Sequence, residues 1–358
     1  MLPSTTDYSY HYTHYPKVYV APRAPAGFIN SIDGNLDKPC WRDVPWSDAF
    51  DDIRGVDDAP TDARPTQKTR MKIMWDDDFL YVGALLEREP QLSTPAIFTE
   101  HNSPIYQKDS DFEIFVDISG SCMYYKEFEV NAINTIWNLM LDKPYIDGGH
   151  EHSGRIAKVG DGDYYEVSLQ KSSTRVLEGK LNDVSQGATW SVEVAMAYRD
   201  LMVNLPPTRR PTPGSHWRIN FSRVEQQGDI NWTWQPQIVW NAEHHRYRGN
   251  VNMHLPDAWG YLVFEDTVGP TTPSKDTSWP PRMAAMSLYY AQHEYKSRTG
   301  RFSERLDELS ELVDQAAASP FHVEIHLNGD CFEIVVRERT CGWVVRVTDE
   351  RFLSAILE

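Results

Sequence analysis

The stretch that decides the fold is residues 106–137, YQKDSDFEIFVDISGSCMYYKEFEVNAINTIW. Phe112, Ile114 and Val116 alternate with Asp111, Glu113, Phe115 and Asp117. A strand over these residues has one apolar face and one face of carboxylates. Ser119-Gly120-Ser121 supplies a turn. Extended structure resumes from Tyr124 to Trp137, with Glu127, Glu129 and Asn131 at period two on one face. Paired as a hairpin, the two strands set Glu113, Glu129 and Asn131 on a common polar surface. Carboxylates accept hydrogen bonds from hydroxyls, amides donate and accept, and flat rings cover the apolar face of a sugar. A solvated sheet face is the alternative for the same pattern.

Outward from this hairpin the chain is rich in short strands. Thr69–Trp75 and Phe79–Glu87 flank the turn Asp76-Asp77-Asp78. Further strands are expected over 155–160, 164–170, 190–198, 216–225, 231–234 and 260–265. In 216–225, Trp217, Ile219 and Phe221 take one face and Arg218, Asn220 and Ser222 the other. Helical turns are expected at Pro39-Cys40-Trp41 and Tyr198-Arg199-Asp200-Leu201, and Trp41 and Trp46 are expected as core anchors. Many short strands with turn signals between them predict a mainly β fold, an antiparallel β-sandwich. Residues 1–27, rich in Tyr, His and Pro, read as an irregular arm, and 28–265 as the sandwich. Residues 266–281 are rich in Pro, Thr and Ser and read as a linker. Beyond it, 282–300 has helical spacing and ends on Gly300, and Leu306, Leu309 and Leu312 mark a second helix. Three short strands follow, FHVEIHL, CFEIVVRE and GWVVRVT, so 282–358 is expected to be a small α+β unit.

Composition narrows the partners. With a net charge of -17 and a pI near 5.1, the chain lacks the basic stripe that phosphate binding needs, so nucleic acid is not expected. An anionic membrane surface is disfavoured for the same reason, and no apolar run is long enough to span a bilayer. Cys40, Cys122, Cys331 and Cys341 are scattered without metal-ligand spacing. His150 and His152 in their Gly-rich loop read as exposed histidines rather than ligands. The N-terminus lacks the basic start and apolar segment of a signal peptide. As written the chain is expected to be cytoplasmic; a leader removed beforehand would make it secreted.

In order along the chain stand IDGNLDKPCW, TRMKIMWDDDFLYVGALLE, DSDFEIFVD, YYKEFEVNA, WSVEVAM, WRINFSRVE and HLPDAWGYLVF. This ordered set resembles the family 9 carbohydrate-binding modules over roughly residues 28–265. The resemblance implies a β-sandwich that binds glycans, with calcium as a structural ion. Modules of this family accompany xylanases and hold sugar chain ends of xylan or cellulose between two tryptophans, a role in polysaccharide catabolism. Glu113 falls where the family has a sugar-binding glutamate, and Asn250 on a binding asparagine. Tyr106 is the aromatic nearest the first tryptophan. Glu129 stands where the family has an arginine, and Met253 is nearest the second tryptophan.

The expected ligand is thus an oligosaccharide or polysaccharide. Its site is placed on Glu113, Glu129, Asn131, Asn220 and Arg223, rimmed by Tyr106, Trp234, Asn250 and the 237–250 segment. Arg223 is out of phase with Asn220 unless a bulge intervenes. Calcium is expected at Asp33, Asp37, Asp76 and Asp78, whose oxygens suit a hard cation. A glycosidase using Glu113 and Glu129 is the enzymatic alternative. No GxSxG, HExxH or phosphate-binding loop is present, so a non-catalytic role is preferred. An interaction scaffold without a sugar ligand is the third reading. Haem ligation by adjacent Met253 and His254 is disfavoured, because neighbours in a strand point to opposite faces.

Overall fold

The computed structural model describes residues 7–206, 210–267, 273–339 and 342–358. The first strands are β1 (Val18–Ala21), β2 (Asp51–Asp52), β3 (Thr69–Trp75), β4 (Phe79–Leu86), β5 (Asp111–Asp117) and β6 (Tyr125–Asn131). Then come β7 (Ile136–Leu141), β8 (Glu151–His152), β9 (Lys171–Gly179), β10 (Ala188–Ala197), β11 (His216–Glu225) and β12 (Ile230–Thr233). A hairpin of β13 (Ile238–Asn241) and β14 (Arg246–Gly249) precedes β15 (Gly260–Phe264). The C-terminal strands are β16 (His322–Asn328), β17 (Cys331–Arg337), β18 (Trp343–Thr348) and β19 (Leu353–Leu357).

Two sheets make the sandwich. One runs β1-β15-β11-β5-β6-β7-β8, with β12 and β2 continuing from β11; the other runs β3-β4-β10-β9. The named pairings are antiparallel except β1 with β15. Alternation explains the layering. Phe112, Ile114 and Val116 of β5 and Phe128 and Val130 of β6 meet Met71, Ile73, Val82, Val192 and Val194 of the opposite sheet in one core. Burying this apolar surface is the main driving force for the sandwich. Asp117 shapes the β5–β6 turn: its carboxylate accepts N–H bonds from Ser119, Gly120 and Cys122 at 3.0, 2.8 and 2.8 Å.

Several elements differ from expectation. The arm read as irregular carries β1, whose Tyr19 and Ala21 lie in the sandwich core. Its pairing is parallel and only a few residues long, so no hairpin signal marks it. Residues 155–160 and 164–170 are not strands. The strand is β9, a largely exposed edge whose polar residues hide the period. Residues 303–312 form turns instead of a helix, and a short helix follows at Gln315–Ala318. The long helix spans Trp279–Thr299: Pro280 and Pro281 sit in its first turn, where a missing N–H costs nothing. Parts of the Pro-rich loop 206–213 and of the linker 266–281, namely 207–209 and 268–272, lie outside the described residues.

The C-terminal sheet β16-β17-β18-β19 packs on the long helix, and their shared core includes Cys122 and Trp240 from the sandwich side. At that seam Arg351 is buried. It donates to Asp147 at 2.6 Å, Asp257 at 2.8 Å and the Tyr290 hydroxyl at 2.7 Å. Trp240 donates its indole N–H to the Leu312 carbonyl at 2.8 Å. Cys40, Cys122 and Cys331 are free thiols. No helix among the described residues is long and apolar enough to cross a membrane.

Candidate functional site

The outer face of the large sheet carries the functional side chains. Cross-strand register sets them in rows. Glu113 faces Glu129, which faces Trp137 on β7; Phe115 faces Glu127; Asp111 faces Asn131. Each strand offers every second residue to this face, so Asp111, Glu113, Glu127 and Glu129 gather without any long-range loop. A cleft of about 310 Å³ opens above them. Glu113, Glu127 and Glu129 form its polar wall, Tyr106, Trp137 and Tyr145 its aromatic one, and Asn252 and His254 close it.

The aromatic wall is ordered by packing. Tyr106 and Trp137 stack with centroids 5.8 Å apart and planes 17° apart. Tyr106 sits on a short turn, Ile105–Gln107, pinned by buried Ile105. The Trp137 indole N–H is buried and has no hydrogen-bond partner among the described residues. A buried unpaired donor is costly and invites an acceptor.

The electrostatics are unusual for a sheet face. Burial pushes the Glu113 carboxyl up to about 7. Asp111, Glu127 and Glu129 are held well above the carboxylate range, first by burial and then by neighbouring negative charge. No lysine or arginine pairs with any of the four among the described residues. The basic group within reach is His254, whose Nε2 lies 4.0 Å from Glu127. Burial holds His254 down at about 4, so it is neutral at pH 7.

Of the residues expected at the site, Tyr106, Glu113 and Glu129 line one cleft. Asn131 does not reach it. Its amide donates to Phe98 O at 2.9 Å and Asp109 Oδ2 at 2.7 Å, tying down the loop that carries Tyr106. Asn220 is also spent on structure, bonding the backbone of Gln235 through both amide atoms. Arg223 points to the opposite, interior side of the sheet. There it donates to Glu225 at 2.7 Å and Glu87 O at 2.8 Å. No bulge intervenes, because β11 keeps continuous register with β5 from Arg218 to Val224. Trp234 is buried over Gly260, where a Cβ would come within 2.3 Å of its ring. Asn250 is exposed outside the cleft, and the 237–250 segment is the β13–β14 hairpin, turned toward the long helix through Trp240. The rim is 251–254 instead. Trp46, expected in the core, is half-buried beneath Arg70 and Lys72.

Sequence reading undervalued Glu127 and Trp137, though both follow the period of their strands. Tyr145 and His254 come from loops and carry no periodic signal.

The four aspartates expected to hold calcium do not fit that role together. Asp76 accepts from Asp78 N, Phe79 N and the Tyr81 hydroxyl, closing its own turn. Asp78 pairs with Arg210, and Asp33 with Lys38 and Arg175. Asp37 is exposed. Among the described residues the acidic group with metal-binding spacing is Asp111, Glu113 and Glu129.

A second cavity, of about 250 Å³, lies between the N-terminal arm, the β13–β14 hairpin and the long helix. Trp240, Tyr261, Trp279 and Met283 make it a mostly apolar seam of the fold, remote in character from the carboxylate cleft.

Residues 32–139 match the family described as carbohydrate family 9 binding domain-like. No curated protein matches the chain. Among solved structures, a Bacteroides uniformis protein thought to bind carbohydrate is 15% identical, with a TM-score of 0.47 over 70% of this chain and 100% of its own. A family 9 carbohydrate-binding module from Caldicellulosiruptor kristjanssonii, solved with cellotriose, is 17% identical, with a TM-score of 0.39 over 73% and 100%. Its complex with glucose gives 16%, 0.38, 72% and 100%. The resemblance to the family 9 carbohydrate-binding modules holds through the matched stretch, 32–139, which carries Tyr106, Glu113, Glu127, Glu129 and Trp137.

Proposed function

We propose that this chain is a non-catalytic carbohydrate-binding protein whose ligand enters the cleft between the glutamates and the Tyr106–Trp137 stack. One observation carries this reading: hydroxyl-accepting carboxylates and a flat aromatic wall share one cleft, on the segment that matches a carbohydrate-binding family. A sugar ring stacked on Tyr106 would offer hydroxyls to Glu113 and Glu129 and an oxygen to the Trp137 N–H. The volume, about 310 Å³, is at the small end of ligand sites and suits a short glycan or a chain end.

A glycosidase is the weaker reading. Glu113 and Glu129 stand side by side on one sheet surface. An acid and a nucleophile must flank the scissile bond, about 5 Å apart in retaining enzymes.

Calorimetric titration of the full chain with glucose, cellotriose and xylotriose tests the proposal. Saturable binding of one of them is expected. Tyr106→Ala should weaken it about tenfold, ~1.4 kcal/mol, without lowering the melting temperature, because Tyr106 is a surface ring. A wild type that binds no oligosaccharide refutes the function. Unchanged affinity in Tyr106→Ala removes this cleft.

A further inference from the structure

We propose that Asp111, Glu113 and Glu129 hold a divalent, oxygen-preferring cation of the calcium class at the floor of the cleft, with its open coordination positions facing the cleft. The open positions matter for sugar binding only if the cleft is the ligand site, so that clause rests on the proposed function. The ion site itself does not.

Geometry comes first. Asp111 and Glu113 are alternate residues of β5, and Glu129 faces Glu113 from β6. One oxygen from each lies within 4.8 Å of the others. Oxygen ligands sit about 2.3–2.6 Å from calcium, so two on opposite sides of the ion stand about 5 Å apart. All three oxygens therefore fit one coordination sphere.

A second observation points to a ligand at these oxygens. Asp111 is 0% exposed, yet neither of its carboxylate oxygens has a hydrogen-bond partner among the described residues. Glu129, 2% exposed, leaves Oε2 unpartnered as well. Buried carboxylates require pairing, and none of the three has a lysine or arginine partner among the described residues. A divalent cation supplies the positive charge and engages the vacant oxygens at once. The neighbouring amide does not: Asn131 Oδ1 already accepts from Thr135 N at 2.8 Å.

Ligand chemistry selects the ion. The set is all carboxylate, without sulfur or imidazole, which favours calcium or magnesium over zinc or copper. Three protein ligands leave several of calcium's 6–8 positions unfilled. Glu113 and Glu129 line the cleft whereas Asp111 does not. The unfilled positions therefore face the cleft, where water or a vicinal diol can occupy them.

The test uses the full chain, stripped with chelator and titrated with calcium by calorimetry. In parallel it is titrated with terbium, excited through Trp137, the cross-strand neighbour of Glu129. Saturable calcium binding and sensitised terbium emission are expected. Asp111→Asn should lower calcium affinity by more than about tenfold and abolish the emission, while melting no lower than wild type in chelator, because it replaces a buried carboxyl whose two oxygens have no partner among the described residues. Glu129→Gln is the second variant and should behave likewise. Wild-type calcium affinity and emission in folded Asp111→Asn or Glu129→Gln overturn the site, as does a wild type that binds neither ion. Sugar titrations with calcium and with chelator separate the two proposals. Sugar binding in chelator at undiminished affinity overturns the cleft-facing role and leaves the proposed function standing. No sugar binding under either condition, with Asp111-dependent calcium binding intact, refutes the proposed function and upholds the ion site.

Discussion

Glu113 on β5 and Glu129 on β6 are directly opposed across the sheet, two carboxylates in a register position where opposite charges or apolar pairs stabilise. Both are buried, at 5% and 2% exposure. The fold therefore sets two acids against each other at the floor of its cleft, a pair that repels once both ionise, held in place by the core on the other face of the same strands.

Relieving that repulsion should stabilise the protein when no cation is supplied. Glu129→Gln is expected to raise stability by roughly 1 kcal/mol, the scale of a cross-strand pair. Thermal melts in chelator at pH 8 check this. A lower melting temperature than wild type would show that the pair is compensated within the chain.

Arg223 should matter for folding and not for ligand. Its guanidinium is 1% exposed and pairs with Glu225, itself 1% exposed. Arg223→Met strands that carboxylate and is expected to cost about 3 kcal/mol. Sugar affinity of the folded fraction should match wild type by calorimetry, because the side chain lies on the opposite side of the sheet from the cleft.

Arg351 should control how the C-terminal unit sits on the sandwich. It joins Asp147 and Asp257 from sandwich loops to Tyr289 and Tyr290 of the long helix. Arg351→Met leaves two aspartates facing a buried seam and is expected to cost about 3–5 kcal/mol. Limited proteolysis provides the readout. We propose the sandwich and the C-terminal unit as separate folding units, so cleavage before the long helix should accelerate in the variant. Identical proteolysis of the two proteins would contradict the docking role.

Lys126 predicts a pH dependence. Burial holds its amine down at about 7, against an ordinary 10.5, while it donates to Tyr124 O at 2.6 Å and Val203 O at 2.8 Å. Between those values the unfolded chain binds a proton that the folded chain does not. Stability from this group therefore rises as pH rises from 7 toward 10.5. The melting temperature of Lys126→Met relative to wild type should be most favourable near pH 7 and fall as pH rises. A difference independent of pH would refute the buried, depressed amine.

The fold class was legible because period-two alternation is a local property. Phe112, Ile114 and Val116, or Trp217, Ile219 and Phe221, show their inward face without reference to any other strand. The same locality brought Glu113 and Glu129 to one surface. It did not extend to β9, an exposed edge with little apolar contrast, or to β1, whose parallel partner β15 lies more than two hundred residues away.

At the site, sequence by itself determined the carboxylate rows and the phase problem of Arg223, since the pleat decides which face a side chain takes. Only the tertiary structure decided which polar residues were free. Asn131 and Asn220 have the phase of a binding face but are consumed by Asp109, Phe98 and Gln235, partners fixed by how distant loops return to the sheet. Tyr145 and His254 reach the cleft by the same long-range closure. So does the isolation of Asp111: a carboxylate in a strand is ordinary in sequence, and its two unpartnered oxygens arise only where three strands bury it among other acids.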